Sequence, residues 1–75
     1  MPSVVERLAA AAESMRAGDS AAALATTRAI LEIPGLTNDE RVAALRLHAR
    51  AAEAQKDFAA AFADLDRVST LAPAE

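Results

Sequence analysis

A segment that occurs twice constrains the fold of this chain more than any other feature. Residues 19–25 read DSAAALA and residues 57–63 read DFAAAFA, an offset of 38 positions that also relates Ile30 to Val68. An offset of 37 relates three earlier pairs of residues, namely Val5 and Val42, Leu8 and Leu45, and Ala12 and Ala49. A period in this range is typical of stacked helical hairpins. We therefore predict two copies of one hairpin, with the one-residue difference in the turn between the paired helices.

The composition favours helices over strands. Alanine, the best helix former, accounts for 22 of the 75 residues. Valine, isoleucine and phenylalanine, which strands favour, together number only eight. A chain of 75 residues fits one small domain. We therefore predict a single all-α domain over residues 1–75, in which four helices stack as a short α-solenoid.

Capping patterns place the four predicted helices. Ser3 with Glu6, and Thr37 with Glu40, have the spacing of a capping box, so helices are predicted from Val4 and from about Asn38. The first helix ends near Ala17, before Gly18, and the second runs from a cap at Asp19 or Ser20 to about Ile33, before Pro34-Gly35. After a break at Lys56-Asp57, the fourth helix runs from about Phe58 to Leu71 and is stopped by Pro73. The predicted hairpins are 3–35 and 37–73.

Several classes of function are excluded or disfavoured by residue counts. The chain has no cysteine and one histidine, which excludes disulfides, thiolate metal sites and multi-histidine metal sites. A net charge of −3 and the lack of a basic recognition helix disfavour nucleic-acid binding, including that of a small helix-turn-helix protein. Two glycines cannot form a glycine-rich phosphate loop. We expect no cofactor, no metal and no nucleic-acid partner.

The first residues and the hydropathy of the chain predict where the protein is located in the cell. No apolar run approaches the roughly 20 residues of a membrane-spanning helix. The first residues, MPSVVER, lack the basic and then apolar segments of a signal peptide. We therefore expect a cytoplasmic protein without a membrane partner. Seven arginines to one lysine, with abundant alanine, suggest a GC-rich bacterial genome.

The second copy resembles a tetratricopeptide (TPR) repeat. The residues that carry the resemblance are Leu45, Ala49, Asp57-Phe58, Ala61, Leu65, Val68 and Pro73. The first copy matches with Leu8, Ala12, Met15, Gly18-Asp19, Ala23 and Ile30. The resemblance implies that Ala49 and Ala61 let the third and fourth helices approach closely, and that Phe58 fills the gap near the turn. The chain departs from the family pattern at Ser20 and Ala52, where aromatic residues are usual, and at Lys56, where glycine is common.

The resemblance implies binding of a peptide or protein on an inner, concave face rather than catalysis. That face comprises Glu6, Ala9, Glu13 and Arg16 beside Ala43, Arg46, Arg50 and Glu53. The proposed partner-binding residues are Glu13, Arg46, Arg50 and Glu53. Arg46 and Arg50 share one helix face at a spacing of four, which favours either an acidic ligand or a solvated face with Glu13, near Arg50, and Glu53 as counter-charges. The family's lysine and asparagine clamp for a peptide carboxylate is not present.

The fourth helix carries the second predicted surface. Phe62 corresponds to Leu24, which the third helix covers, but no further repeat follows to cover Phe62. Either Phe62 folds over its own hairpin, or the end is an open apolar surface that needs a partner. On the second interpretation Phe62, Leu65 and Ser69 form the interface of a homodimer through the fourth helix. Leu47 is expected to pack against the second helix.

An enzyme is the least favoured class. His48 faces the helix partner, and none of the hydroxyl residues falls in a nucleophile motif, so a half-buried structural histidine is favoured. The carboxylates are expected on helix surfaces, which does not support paired acid–base chemistry. The two functions carried forward are a protein-interaction module of TPR type and a purely structural homo-oligomerisation domain.

Overall fold

A computed structural model of the protein describes residues 3–71. Its four helices are α1 (Val4–Arg16), α2 (Ser20–Leu31), α3 (Asn38–Ala54) and α4 (Phe58–Leu71), and no strand occurs within 3–71. The all-α prediction is confirmed. We call α1 with α2 hairpin 1, and α3 with α4 hairpin 2. The predicted stop at Pro73 lies outside the described residues.

The helix starts follow from the predicted caps. Ser3 and Thr37 each accept a hydrogen bond from the backbone N–H three residues on, and Glu6 and Glu40 accept one back from the cap residue. The carboxylate of Asp19 caps α2, and the Asp57 carboxylate accepts from the N–H of Ala60 in the first turn of α4 at 3.2 Å. Such caps satisfy N–H groups that have no partner within the helix.

The second helix ends earlier than predicted. α2 stops at Leu31 rather than near Ile33, and the N–H groups of Glu32 and Ile33 bond to carbonyls three residues back. Pro34 disfavours the α conformation for the residue before it, so the last turn tightens and stops before Ile33.

The turns inside the two hairpins have the same length and the same hydrogen bonds. The N–H groups of Gly18 and Asp19 bond to the carbonyls of Met15 and Ser14, while those of Lys56 and Asp57 bond to Glu53 and Ala52. Both sets form a Schellman motif, with φ of 82° at Gly18 and 63° at Lys56. The prediction that the turns differ by one residue is therefore wrong.

The matched turns fix one register for the whole repeat. Because α1 and α3 are continuous helices that end in equivalent turns, the offset of 38 extends back along both of them. Ala11 then corresponds to Ala49, and both are buried. The pairs at an offset of 37, such as Leu8 with Leu45, are one residue out of register.

Helix packing follows the chain order of the two hairpins. α2 packs against both α1 and α3, and α1 also touches α3. Within residues 3–71, α4 packs against α3 alone. The core consists of small side chains with a few larger ones, and its two largest apolar members are Ile30 and Leu45, both 0% exposed. One face of α4 is therefore left without a neighbouring helix.

Alanines form the crossing of α3 and α4. Ala49 and Ala61 are buried in one cluster with Ala52, as predicted, and Leu24 of α2 packs against that cluster. Phe58 does not fill a gap there, because its side chain is 54% exposed. Phe58 instead lines a surface groove beside Ala61 and Glu53.

Candidate binding surface

Three large apolar side chains form a row on the uncovered face of α4. Phe58, Phe62 and Leu65 are 54%, 73% and 49% exposed, and their spacing of four and three residues puts them on one face of the helix. We call this row the α4 stripe. The alternative in which Phe62 folds over its own hairpin is wrong. Ser69 is exposed one turn further along α4.

Two adjoining grooves link the α4 stripe to α3. The first, of about 340 Å³, is lined by Arg46, Ala49, Arg50, Glu53 and Leu65. The second, of about 180 Å³, is lined by Glu53, Phe58, Ala61, Phe62 and Leu65. Because Glu53 and Leu65 belong to both grooves, the two surfaces predicted separately from the sequence form one continuous surface. We call it the α3–α4 surface.

A third groove, of about 310 Å³, lies between α1 and α3. It is lined by Ala12, Met15, Arg16, Leu47 and Arg50. Leu47, expected to pack against the second helix, lines this groove opposite residues of α1. Arg50 borders both this groove and the α3–α4 surface, so the inner face is continuous from α1 to α4.

The predicted counter-charge for Arg50 has a different partner. Glu13 accepts from the Arg16 guanidinium at 2.7 Å within α1, and both side chains are mostly exposed. Within residues 3–71 the ion pairs are this one and His48 with Asp64, so Arg46 and Arg50 have no carboxylate partner in that range. An exposed pair such as Glu13 with Arg16 contributes at most about 1 kcal/mol. The α3–α4 surface therefore presents two guanidinium groups beside an apolar stripe.

The histidine has a structural partner that the sequence analysis did not identify. His48 of α3 hydrogen-bonds through Nδ1 to the carboxylate of Asp64 of α4, and their side chains are 12% and 9% exposed. The expectation that all carboxylates lie on helix surfaces is therefore wrong for Asp64. A buried carboxylate needs a donor, and His48 supplies one. The position of Asp64 between Ala61 and Val68, on the buried side of α4, was the available signal.

Phe58 is the surface residue that the sequence analysis missed. Its spacing to Phe62 and Leu65 is that of a single helix face, which could have identified it. The family resemblance instead implied a buried role at the turn.

Two observations concern the histidine and the acidic residues in the described part of the chain. Within residues 3–71, the His48 ring bonds to Asp64 and to no hydroxyl group. Over the same range, no three histidine, cysteine or acidic residues lie close enough together to hold a metal ion.

Comparison with protein-family models, curated proteins and solved structures finds no significant match to this chain. Within residues 3–71, no helix combines the length and the apolar character that crossing a membrane requires.

Proposed function

We propose that this chain is a protein-interaction module that binds a peptide or protein partner through the α3–α4 surface. The observation that carries the proposal is the exposed α4 stripe of Phe58, Phe62 and Leu65, which adjoins two arginines, Arg46 and Arg50, that have no carboxylate partner within residues 3–71. The resemblance of the sequence to TPR repeats, a family of interaction modules, points to the same function.

The energetics of the stripe support binding. Burial of one large apolar side chain is worth roughly 1.5–3 kcal/mol, and this stripe leaves three of them about half exposed or more. Contiguous apolar patches on small proteins often mark interaction sites. Aromatic residues and arginine are the types most enriched where binding energy concentrates, and both occur here.

A selection experiment tests this proposal. A library of displayed random peptides is panned against the full chain, and the affinities of the selected peptides are measured by calorimetry. We expect Phe62→Ser to weaken the selected peptides by at least about tenfold, which corresponds to loss of about 1.4 kcal/mol of apolar contact. Ala25→Ser is the control, because Ala25 is exposed on α2 and lies outside the α3–α4 surface.

Two results contradict the proposal. One is that no peptide is selected and the chain does not self-associate. The other is that peptides are selected but tolerate Phe62→Ser as well as they tolerate Ala25→Ser.

A second candidate function is structural homo-oligomerisation, which the 73% exposure of Phe62 favours. In its simplest form two copies pair their α4 helices around a twofold axis, with Phe62, Leu65 and Ser69 at the contact. Light scattering after size-exclusion chromatography tests it. Phe62→Ser is expected to yield monomers with unchanged helix content, and a wild-type chain that is monomeric at high micromolar concentration contradicts it.

A further inference from the structure

The α4 stripe corresponds, position by position, to the surface of α2 that α3 covers. Gln55, the C-cap residue of α3, donates a hydrogen bond to the Ser20 hydroxyl, Leu24 packs against buried alanines of α3, and Thr27 is fully buried. At the offset of 38, these three α2 residues correspond to Phe58, Phe62 and Leu65. The stripe therefore faces the position that a further helix would take if the repeat continued.

By the same offset of 38, the exposed residues of α3 correspond to the residues of α1 that face α3. Ala12 and Met15 lie across a groove from Leu47 of α3. The corresponding α3 residues are Arg50 and Glu53, and one turn earlier Arg46 takes the place of Leu8. Hairpin 2 thus has charged side chains where hairpin 1 is apolar. Two arginines beside the single carboxylate of Glu53 favour a docking helix that carries carboxylates near Arg46 and Arg50.

The first helix of this same chain has those carboxylates at the required positions. Leu47 shares one face of α3 with Ala44 and Ala51, both fully buried, and this face packs on hairpin 1. The residues of α1 at the corresponding positions are Glu6, Ala9 and Glu13, and all three are exposed. The carboxylates of α1 therefore occupy positions equivalent to the part of α3 that packs on hairpin 1. The arginines of α3 occupy positions equivalent to the part of α1 that α3 packs against.

We infer that α1 of a second copy of this chain docks on the α3–α4 surface, as α3 docks on hairpin 1. This inference rests on the proposed function of that surface and names its partner. Ala9 of the second copy, the counterpart of Leu47, comes opposite Arg50 and Glu53. Glu6 and Glu13 lie one turn to either side of Ala9, where they can pair with the two arginines, and exposed Val5 adds an apolar side chain on the same face of α1. The contact repeats the layout of the interface between the two hairpins, so it engages both the stripe and the two arginines.

A head-to-tail contact of this kind has two distinct ends. Each copy offers its α1 face to one neighbour and its α3–α4 surface to another, so the assembly extends beyond a dimer. Because charge pairs take part, association weakens as salt rises. In a twofold pairing of α4 helices both copies use the same surface, so the assembly stops at a dimer. This difference allows the two arrangements to be distinguished experimentally.

Mixing of end-blocked variants tests the inference. Phe62→Ser/Leu65→Ser blocks the α3–α4 surface, and Ala9→Arg/Glu13→Arg blocks the α1 face. Both variants change exposed residues only, and circular dichroism verifies their helix content. We expect each variant alone to be monomeric by light scattering, and their equimolar mixture to form a one-to-one dimer that grows no further. The matched control Ala25→Arg/Glu32→Arg, at exposed positions outside both surfaces, is expected to associate like the wild type.

A crosslinking measurement uses the absence of cysteine from the chain. Separate Ala9→Cys and Arg50→Cys chains are mixed and oxidised. We expect the disulfide between the two variants to form at least about tenfold faster than the disulfide between two Arg50→Cys chains, because only the former pair meets at the docked surface. Wild-type association is also expected to weaken about tenfold between 50 mM and 500 mM sodium chloride.

The outcomes separate this inference from the proposed function. If the α1-blocked variant still dimerises and the surface-blocked variant does not, the head-to-tail inference is wrong and a twofold α4 dimer is favoured. If the wild type is monomeric at millimolar concentration but selected peptides bind the α3–α4 surface, the partner is another protein and the inference again fails while the proposed function stands. If neither association nor peptide binding occurs, both are wrong.

Discussion

Hairpins 1 and 2 share a register and a turn geometry, yet their second helices lie in different surroundings. α2 is covered by α1 on one side and by α3 on the other, whereas α4 packs only against α3 within residues 3–71. Ile30 and its counterpart Val68 are both buried, but half-buried Leu24 corresponds to Phe62, which is 73% exposed. Equivalent positions therefore differ in role because a neighbouring helix is present at one and missing at the other.

The largest expected difference between the hairpins is in the stability lost when a buried alanine at each helix crossing is replaced by leucine. Ala23 is 0% exposed in a helix covered on both sides, and Ala61 is 6% exposed at a crossing with one neighbour. We expect Ala23→Leu to lower the free energy of unfolding by about 3 kcal/mol and Ala61→Leu by about 1 kcal/mol, because α4 can shift outward to relieve overpacking. Urea titration followed by circular dichroism measures both values. Equal losses would show that α4 is held as rigidly as α2.

The next expected difference is in the free energy of unfolding lost when Leu24 or Phe62 is replaced by alanine. Leu24→Ala removes contacts with α3 and is expected to lower the free energy of unfolding by about 2 kcal/mol. Phe62→Ala is expected to change it by less than about 0.5 kcal/mol when measured below the concentration at which chains associate. A cost above about 1 kcal/mol for Phe62→Ala in a monomer would place Phe62 in the intramolecular core.

The pair of His48 and Asp64 has no counterpart in hairpin 1, where the same positions hold Ala10 and Thr26. Asp64→Ala is expected to lower the free energy of unfolding by about 1–2 kcal/mol, because it leaves the largely buried imidazole without its acceptor. Replacing both residues by their hairpin 1 counterparts, His48→Ala/Asp64→Thr, is expected to cost less than Asp64→Ala alone. Thermal unfolding of the wild type and the two variants measures this, and a double variant that costs as much as Asp64→Ala or more would mean that the loss does not come from an unpartnered imidazole.

The smallest expected effect is at the equivalent turn residues. Lys56 has a positive φ of 63° where hairpin 1 has Gly18 at 82°. We expect Lys56→Gly to raise the free energy of unfolding by about 0.5–1 kcal/mol and Gly18→Ala to lower it by about 1 kcal/mol. A β-carbon at Gly18 meets no atom within 4 Å, so backbone strain is the only source of the cost. Denaturant midpoints with unchanged slopes are the measurement, and stabilisation by both substitutions would contradict the matched-turn geometry.

Helix number and helix starts were predictable because their causes are local. A capping residue and the glutamate three positions later act within one turn, as at Ser3 with Glu6, whatever the rest of the chain does. The repeat was visible as well, because Asp19 and Asp57 begin nearly identical segments. The register that relates α1 to α3 could not be read from the sequence, because alanines at neighbouring positions match almost equally well at offsets of 37 and 38. The hydrogen bonds of the two turns were needed to decide it.

Side-chain partners were predicted less well, because they depend on how the helices lie together. Glu13 pairs with Arg16 on its own helix rather than lying against Arg50, and the approach of α4 to α3 brings Asp64 to His48. For the binding surface, the sequence identified Arg46, Arg50, Glu53, Phe62 and Leu65, but as two separate sets.

Four capped helices in two copies of one hairpin follow from local features, because caps, turn residues and alanine content act over a few positions. The packing of the helices was needed to show that Phe58 lies outside the core, that Arg50 and Leu65 line one groove, and which α1 positions correspond to Arg46 and Arg50. Those outcomes depend on the distances and angles between helices, which result from packing of the whole chain and are not encoded in any single segment.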